Sequence, residues 1–386
     1  MIVLIKGPIK TLNYFLDQIN QQLEDVVILD VCDKDYKQTL SSIDKDIDEN
    51  TIVITFNNVG INILANNQFY WDLKQVKLYN ILVDPPQWFT GVFDLQIRSM
   101  NTVVVDRQHC DFIKKYYPQQ KCFFLPHGGV RLTKEDIPYH ERRMDVAYFA
   151  TNKPNVPLKT DVERMIYDLL IKFPNMSLDS IYELFLKDQN LSFDGKQERE
   201  LLALLYENTF YSVKEYFQKK IIMAIANAGI DLHIFGENWT GFADRLSDNV
   251  KLHGEITPQE CIEKMKDCKI VLNMQPWFKD GAHERIFNAM LNGAVCLTDE
   301  SVYLKERFQD LENIAFYQLD HLDALADKIK MILEHPLLAE KIIANQKKAT
   351  VHDTWRDRLD EILLKGNGQT DFHSYLSRQR RHEGLV

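Results

Sequence analysis

Short apolar runs separated by polar or helix-patterned stretches recur along the whole chain. In its first third they fall at 1–6, 26–31, 51–56, 79–83, 102–105 and 122–125. Each is too short for a buried helix, and the stretches between carry three- and four-residue periodicity. That alternation predicts βαβ units and a doubly wound parallel sheet. A second series follows at 145–150, 232–236, 250–254, 270–274, 294–298 and 313–317. Between its first two members, about 157–228, apolar residues repeat at helical spacing (Met165, Ile166, Leu169, Leu170; Leu201, Leu202, Leu205) and predict a helical insertion. The expected organisation is an N-terminal domain at 1–140, a C-terminal domain at 141–352, and a helix and tail at 353–386. Gly128-Gly129 and the polar run 133–143 mark the connection.

The most informative stretch is 269–300: a strand, a loop with Pro276, Asp280 and Gly281, a helix at about 282–292, and a second strand. At ~100° per residue, Ile286, Ala289, Met290 and Gly293 share one helix face; Glu284, Arg285, Asn288 and Asn292 share the other. Unpaired N–H groups at a helix start favour a phosphate, Gly281 lets the backbone approach it, and Arg285 one turn in adds a charged clamp. In doubly wound sheets ligands gather beyond the carboxyl ends of the strands. Those ends carry Asn57-Asn58, Asp84-Pro85-Pro86, Asp106-Arg107 and His127 in the first half, and Thr151-Asn152, Gly236 and His253-Gly254 in the second. The first βα turn has only Gly7, which argues against a dinucleotide site.

The segment HERIFNAMLNGAVCLTD (283–299) resembles the donor-binding part of GT-B glycosyltransferases of the "glycosyl transferases group 1" kind, most closely their spore-maturation-type branch. VDPPQWF (83–89), VVVDRQHCDFIKKYYP (103–118) and FFLPHGG (123–129) resemble that branch's N-terminal domain, in matching order and spacing. The resemblance implies two Rossmann-like domains facing a cleft, a C-terminal helix packing back on the first, and a bacterial-type, Leloir hexosyltransferase-like enzyme using a nucleotide-sugar donor. The group's Glu-x7-Glu pair falls on Asp280, expected on sugar hydroxyls, and Asn288, expected on ribose; both depart from the pattern. The nucleobase is expected around 253–256, at His253, Gly254 and Ile256, with Thr151 and Asn152 on the phosphate side. Gly236, Asn273, Gly281, His283 and Glu284 complete the expected donor-binding set.

Inverting transfer needs a base for the acceptor proton and positive charge for the leaving diphosphate. Arg285 suits the second role. Asp84, stiffened by two prolines at a strand end, is the candidate base; Asp106 and His127 are acceptor-side alternatives. If transfer retains configuration, Asp84 binds acceptor instead. Asp-x-Asp strings at 33–35, 44–46 and 46–48 lie in an acidic, polar segment and read as solvated turns, so no metal and no cofactor is expected. One of Trp88, Phe89, Trp239, Trp277 and Phe278 is expected against the ligand. The same residues are also compatible with a non-catalytic sugar-nucleotide-binding scaffold, or with an epimerase or phosphorylase.

Composition narrows the partners. A formal charge of -10 over 386 residues argues against a general nucleic-acid surface. No apolar run approaches the ~18 residues that cross a bilayer, and the start is too short for a signal peptide, so a cytoplasmic protein is expected. The 6 cysteines include no Cys-x-x-Cys pair and read as reduced, mostly core thiols. The tail with Arg378, Arg380 and Arg381 reads as a frayed end, with peripheral contact to anionic lipid or an acidic partner as the other reading.

Overall fold

The computed structural model describes residues 1–21, 23–132, 136–153, 157–243 and 246–366; the basic tail lies outside them. The first series of apolar runs gives β1 (Ile2–Lys6), β2 (Val26–Asp30), β3 (Ile52–Phe56), β6 (Lys77–Leu82), β7 (Met100–Val104) and β8 (Lys121–Phe124). The small antiparallel hairpin β4 (Leu64–Ala65) and β5 (Gln68–Phe69) interrupts it, an element the apolar pattern did not predict. Its signal is Asn66-Asn67, both at positive φ (51° and 61°), the two-residue turn that suits strand twist. The second series gives β9 (Met144–Phe149), β10 (Leu232–Phe235), β11 (Val250–Leu252), β12 (Cys268–Leu272), β13 (Val295–Asp299) and β14 (Ala315–Tyr317).

Two parallel six-stranded sheets result, ordered β2-β1-β3-β6-β7-β8 and β11-β10-β9-β12-β13-β14. Their central strands are buried on both faces, as the uninterrupted apolar runs require, while the edge strands β2, β8 and β11 are partly exposed. The order reverses direction between β1 and β3 in the first sheet and between β9 and β12 in the second, which opens a crevice at each point.

Between β9 and β10 stand helices Asp161–Lys172, Leu178–Asp188 and the 33-residue Gly195–Asn227. The long helix starts where the Asp194 carboxylate accepts from Lys196 N and Gln197 N, both at 2.9 Å. Midway along it, Phe210 packs on Trp88 of the first domain (4.6 Å between centroids) and stacks on Trp277 of the second (4.7 Å). The insertion thus bridges both domains.

Helix Trp355–Gly366 crosses back to the first domain, where Trp355 stacks on Phe15 at 5.0 Å and meets Phe56 edge-on at 5.1 Å. Gly128 permits that crossing, since a Cβ there would lie 2.6 Å from Trp355 Cα. The connecting chain runs on beside helix Glu284–Leu291: Val130 N donates to Asn288 Oδ1 (2.8 Å), and Leu132 N donates to Asn292 Oδ1 (3.0 Å). Among the described residues no helix is long and apolar enough to cross a membrane.

Candidate functional site

The crevice between β9 and β12 holds Arg285. Asn273, which directly follows β12, is fully buried; its Nδ2 donates to Thr298 Oγ1 (2.9 Å) and its Oδ1 accepts from Arg285 Nη1 (2.6 Å). The guanidinium lies 5.9 Å over the ring of Tyr148 in β9. A buried amide and an aromatic face therefore aim the cation into the crevice. His283 caps the helix start, its Nδ1 3.3 Å from Arg285 N and 2.8 Å from Glu284 Oε2. Burial opposes ionisation of Glu284, but the neighbouring histidines His283 and His127 and then Arg285 outweigh it and hold the carboxyl below its usual range.

Above this crevice a 440 Å³ cavity opens between the domains. The first domain contributes Lys10, Thr11, Tyr14 and Phe15; the second contributes residues after β9, β10 and β11 together with Glu284, Arg285 and Asn288. One wall is aromatic: Phe149 and Phe235 stack at 4.9 Å, and His253 stacks on the far side of Phe235 at 4.4 Å. Lys153 and Lys214 line the cavity too. Asp84 does not line the cavity but sits within electrostatic reach of Lys153, His283 and Glu284, and burial raises its carboxyl above the usual range. Its carboxylate accepts from Asn57 Nδ2 (2.7 Å), and Asn57 Oδ1 in turn accepts from Val83 N (3.0 Å). Asn57 and Asn58 hold left-handed backbone (φ 46° and 68°), which asparagine tolerates, and so fix Asp84 at the strand end.

Of the expected donor residues, Thr151, Gly236, Ile256, Glu284, Arg285 and Asn288 line this cavity. The others do not, each for a visible reason. Asn152 is occupied with the next loop, its N donating to Glu237 O (3.0 Å) and its Nδ2 to Asn238 O (3.2 Å). His253 is turned toward His233, with 2.9 Å between Nε2 and Nδ1, and Gly254 O accepts from Gly236 N (2.7 Å). Asn273 and His283 act from behind, through Arg285 and Glu284.

Asp280 and Gly281 face the other domain rather than a ligand. Asp280 N donates to Asp106 Oδ2 (2.8 Å), Asp280 O accepts from Arg107 N (3.1 Å), and the Asp280 carboxylate pairs with Arg107 Nη1 (3.2 Å). A Cβ on Gly281 would run into Val105 O and come within 2.8 Å of Asp106 Cα. Glycine is required there for domain contact. Gly236 is similarly constrained: at φ 145° its missing Cβ makes room for Ala150 O.

Asn288 lines the cavity, but its side-chain oxygen accepts from Val130 N and so ties the interdomain connection to the helix. Asp106 is no acceptor contact. Its oxygens accept from Gln108 N and Asp280 N, each at 2.8 Å, and burial pushes its carboxyl up to about 6. His127 is 2% exposed among Phe278, His283 and Trp355, and burial lowers it to about 3.

The acidic strings form turn bonds and ion pairs, such as Asp35 N to Asp33 Oδ1 (3.0 Å) and Asp44 with Lys74 (2.9 Å). None of the five singled-out aromatics lines this interdomain cavity; Trp88 lines a separate 570 Å³ pocket beside the long helix. Sequence reasoning passed over Lys10, Thr11, Tyr14 and Lys214, because nothing in linear spacing marks residues that a distant helix delivers.

Two doubly wound Rossmann-like domains facing a cleft, with a C-terminal helix returning to the first, constitute the GT-B fold. Residues 215–364 match a family model described as glycosyl transferase-like. Among solved structures, HepE of Anabaena, in complex with UDP and glucose, shares 13% identity over 94% of this chain and 98% of that one, TM-score 0.54. The T4 phage BGT in complex with its UDP-glucose substrate shares 12% over 95% and 99%, TM-score 0.52. TarM of S. aureus shares 14% over 84% of this chain at TM-score 0.47, and the chain spans 57% of its length. A search of curated proteins returns no match.

Proposed function

We propose that this protein is a glycosyltransferase that moves a sugar from a nucleotide-sugar donor held by the second domain (141–352) to an acceptor approached from the first (1–140). The observation that carries this reading is the convergence of both domains on one cavity with Arg285 at the switch point of the second sheet. The glycosyl transferase-like match over 215–364 includes that cation and the helix start. In this mechanism Arg285 neutralises the diphosphate as the glycosidic bond breaks; the helix start is already capped by His283, whose Nδ1 accepts from Arg285 N. Asp84, desolvated and fixed by Asn57, accepts the acceptor hydroxyl proton if configuration inverts. No step is assigned to a metal. The segments at 83–89, 103–118 and 123–129 support a place in the spore-maturation-like branch, and a cytoplasmic reaction fits a donor of this kind.

The test is release of free nucleotide from a panel of nucleotide sugars. Arg285→Ala should lower donor affinity and turnover together, by roughly 30- to 160-fold for the loss of a charge-assisted contact of about 2–3 kcal/mol. Wild-type rates in that variant remove Arg285 from the mechanism, and activity abolished by a chelator removes the metal-free scheme.

A further inference from the structure

Lys214 projects from the middle of helix Gly195–Asn227 into the wall of the interdomain cavity. It makes no hydrogen bond or ion pair to another described residue, although Arg285 and Lys153 are close enough to lower its pKa, after burial, to about 8. The acids in range, Asp84 and Glu284, partly offset this but make no direct contact with it: Glu284 pairs with His283 at 2.8 Å, and Asp84 accepts from Asn57 at 2.7 Å. A desolvated cation beside two like charges is held at a cost unless an anion joins it.

Lys153 belongs to the same group. Its ammonium stands 5.3 Å over the ring of Tyr211 and 3.4 Å from that hydroxyl. Tyr211 precedes Lys214 by one helical turn, so one face of the insertion supplies a cation and steadies another. The loop after β10, whose Gly236 lines the cavity, contains no lysine or arginine from 236 to 243. Positive charge that the Rossmann scaffold does not provide on that side comes instead from the insertion.

We propose that Lys214, with Lys153, completes around Arg285 a three-cation cradle for the diphosphate of the donor, so that the helical insertion is part of the donor site. This rests on the reading of the cavity as a nucleotide-sugar site. An arginine fork and two ammonium groups suit a polyphosphate, whose oxygens point in several directions. The aromatic bracket of Trp88, Phe210 and Trp277 holds the long helix against both domains and so fixes where Lys214 emerges.

Titration calorimetry of the full chain with ADP, GDP, CDP and UDP, each paired with its nucleoside, and with inorganic pyrophosphate, tests the cradle. Lys214→Met should weaken the preferred nucleoside diphosphate and pyrophosphate by on the order of tenfold, leave the nucleoside unchanged, and melt no lower than wild type; Lys214→Arg should recover most of the loss. Diphosphate affinity within about twofold of wild type in Lys214→Met, beside a weakened Arg285→Ala, overturns the cradle while the donor site stands. A melting point lowered by several degrees, or an equal loss for nucleoside and diphosphate, assigns Lys214 to packing and also overturns it. If wild type binds neither diphosphates nor pyrophosphate, the donor site itself fails.

Discussion

Replacing Gly281 with alanine separates two accounts of the loop before helix Glu284–Leu291. If the loop approaches a phosphate, the added methyl group blocks donor and leaves stability alone. The structure requires the reverse. The Cβ would overlap Val105 O and lie 2.8 Å from Asp106 Cα, both in the other domain, whereas ordinary contact is 3.4–4 Å. The domains must part locally by several tenths of an ångström or more. Three interactions are then lost or stretched: Asp280 N to the Asp106 carboxylate (2.8 Å), Arg107 N to Asp280 O (3.1 Å), and the half-exposed Arg107–Asp280 ion pair (3.2 Å). The first is charge-assisted and contributes ~1.5–3 kcal/mol, the second ~0.5–1.5, and the screened pair under ~1. Gly281→Ala should therefore destabilise the fold by about 2–4 kcal/mol, read as a lower urea midpoint at unchanged slope. Gly195→Ala is the control, because nothing lies within 4 Å of a Cβ there; it should be neutral or stabilising by about 0.5–1 kcal/mol. Unchanged stability together with lost nucleotide affinity in Gly281→Ala would refute the domain-contact account.

Asn288→Ala should cost about 1–3 kcal/mol in urea unfolding, because it leaves the buried Val130 N–H unpaired, and Asn288→Asp should recover part of it; a loss of nucleotide affinity with no change in stability would make Asn288 a ligand contact alone. His127 should make stability depend on pH. Its folded pKa is lowered from 6.5 to about 3 by burial, so below pH 6.5 the unfolded chain takes up a proton that the fold refuses. Stability should fall as pH drops from 6.5 toward 3, at up to ~1.4 kcal/mol per pH unit from this residue, and His127→Phe should flatten that slope in urea midpoints measured at pH 7, 6 and 5. Trp355→Ala empties the space between Phe15 and Phe56 and should cost about 3–5 kcal/mol, seen as an earlier thermal transition.

The strands of the two parallel sheets, the insertion and the helix bearing Arg285 were legible in the sequence because each depends on burial, which leaves a periodic apolar trace. Function was legible only in part. Arg285 could be read because its helix offers one polar face, and three of that face's members, Glu284, Arg285 and Asn288, do line the cavity. The same pattern could not distinguish polar groups facing ligand from polar groups facing another segment of the chain. Asn292 sits on that face too, yet its Nδ2 donates to Val130 O at 2.7 Å and its side chain brackets the linker. Asp280 follows the same logic: an acid at a loop before a helix looks like a ligand contact until Arg107, 173 residues away in sequence, is seen bonded to it. Hydrogen bonds between domains obey no short-range spacing, so residues that staple lobes together and residues that bind substrate look alike in one dimension. Lys214 is the converse case. It lies in a long helix crowded with charges and is singled out only by what surrounds it, two other cations and no acid in direct contact. That surrounding is a property of the assembled domains, which is why a helix that reads as packing scaffold in the sequence can carry part of the binding site.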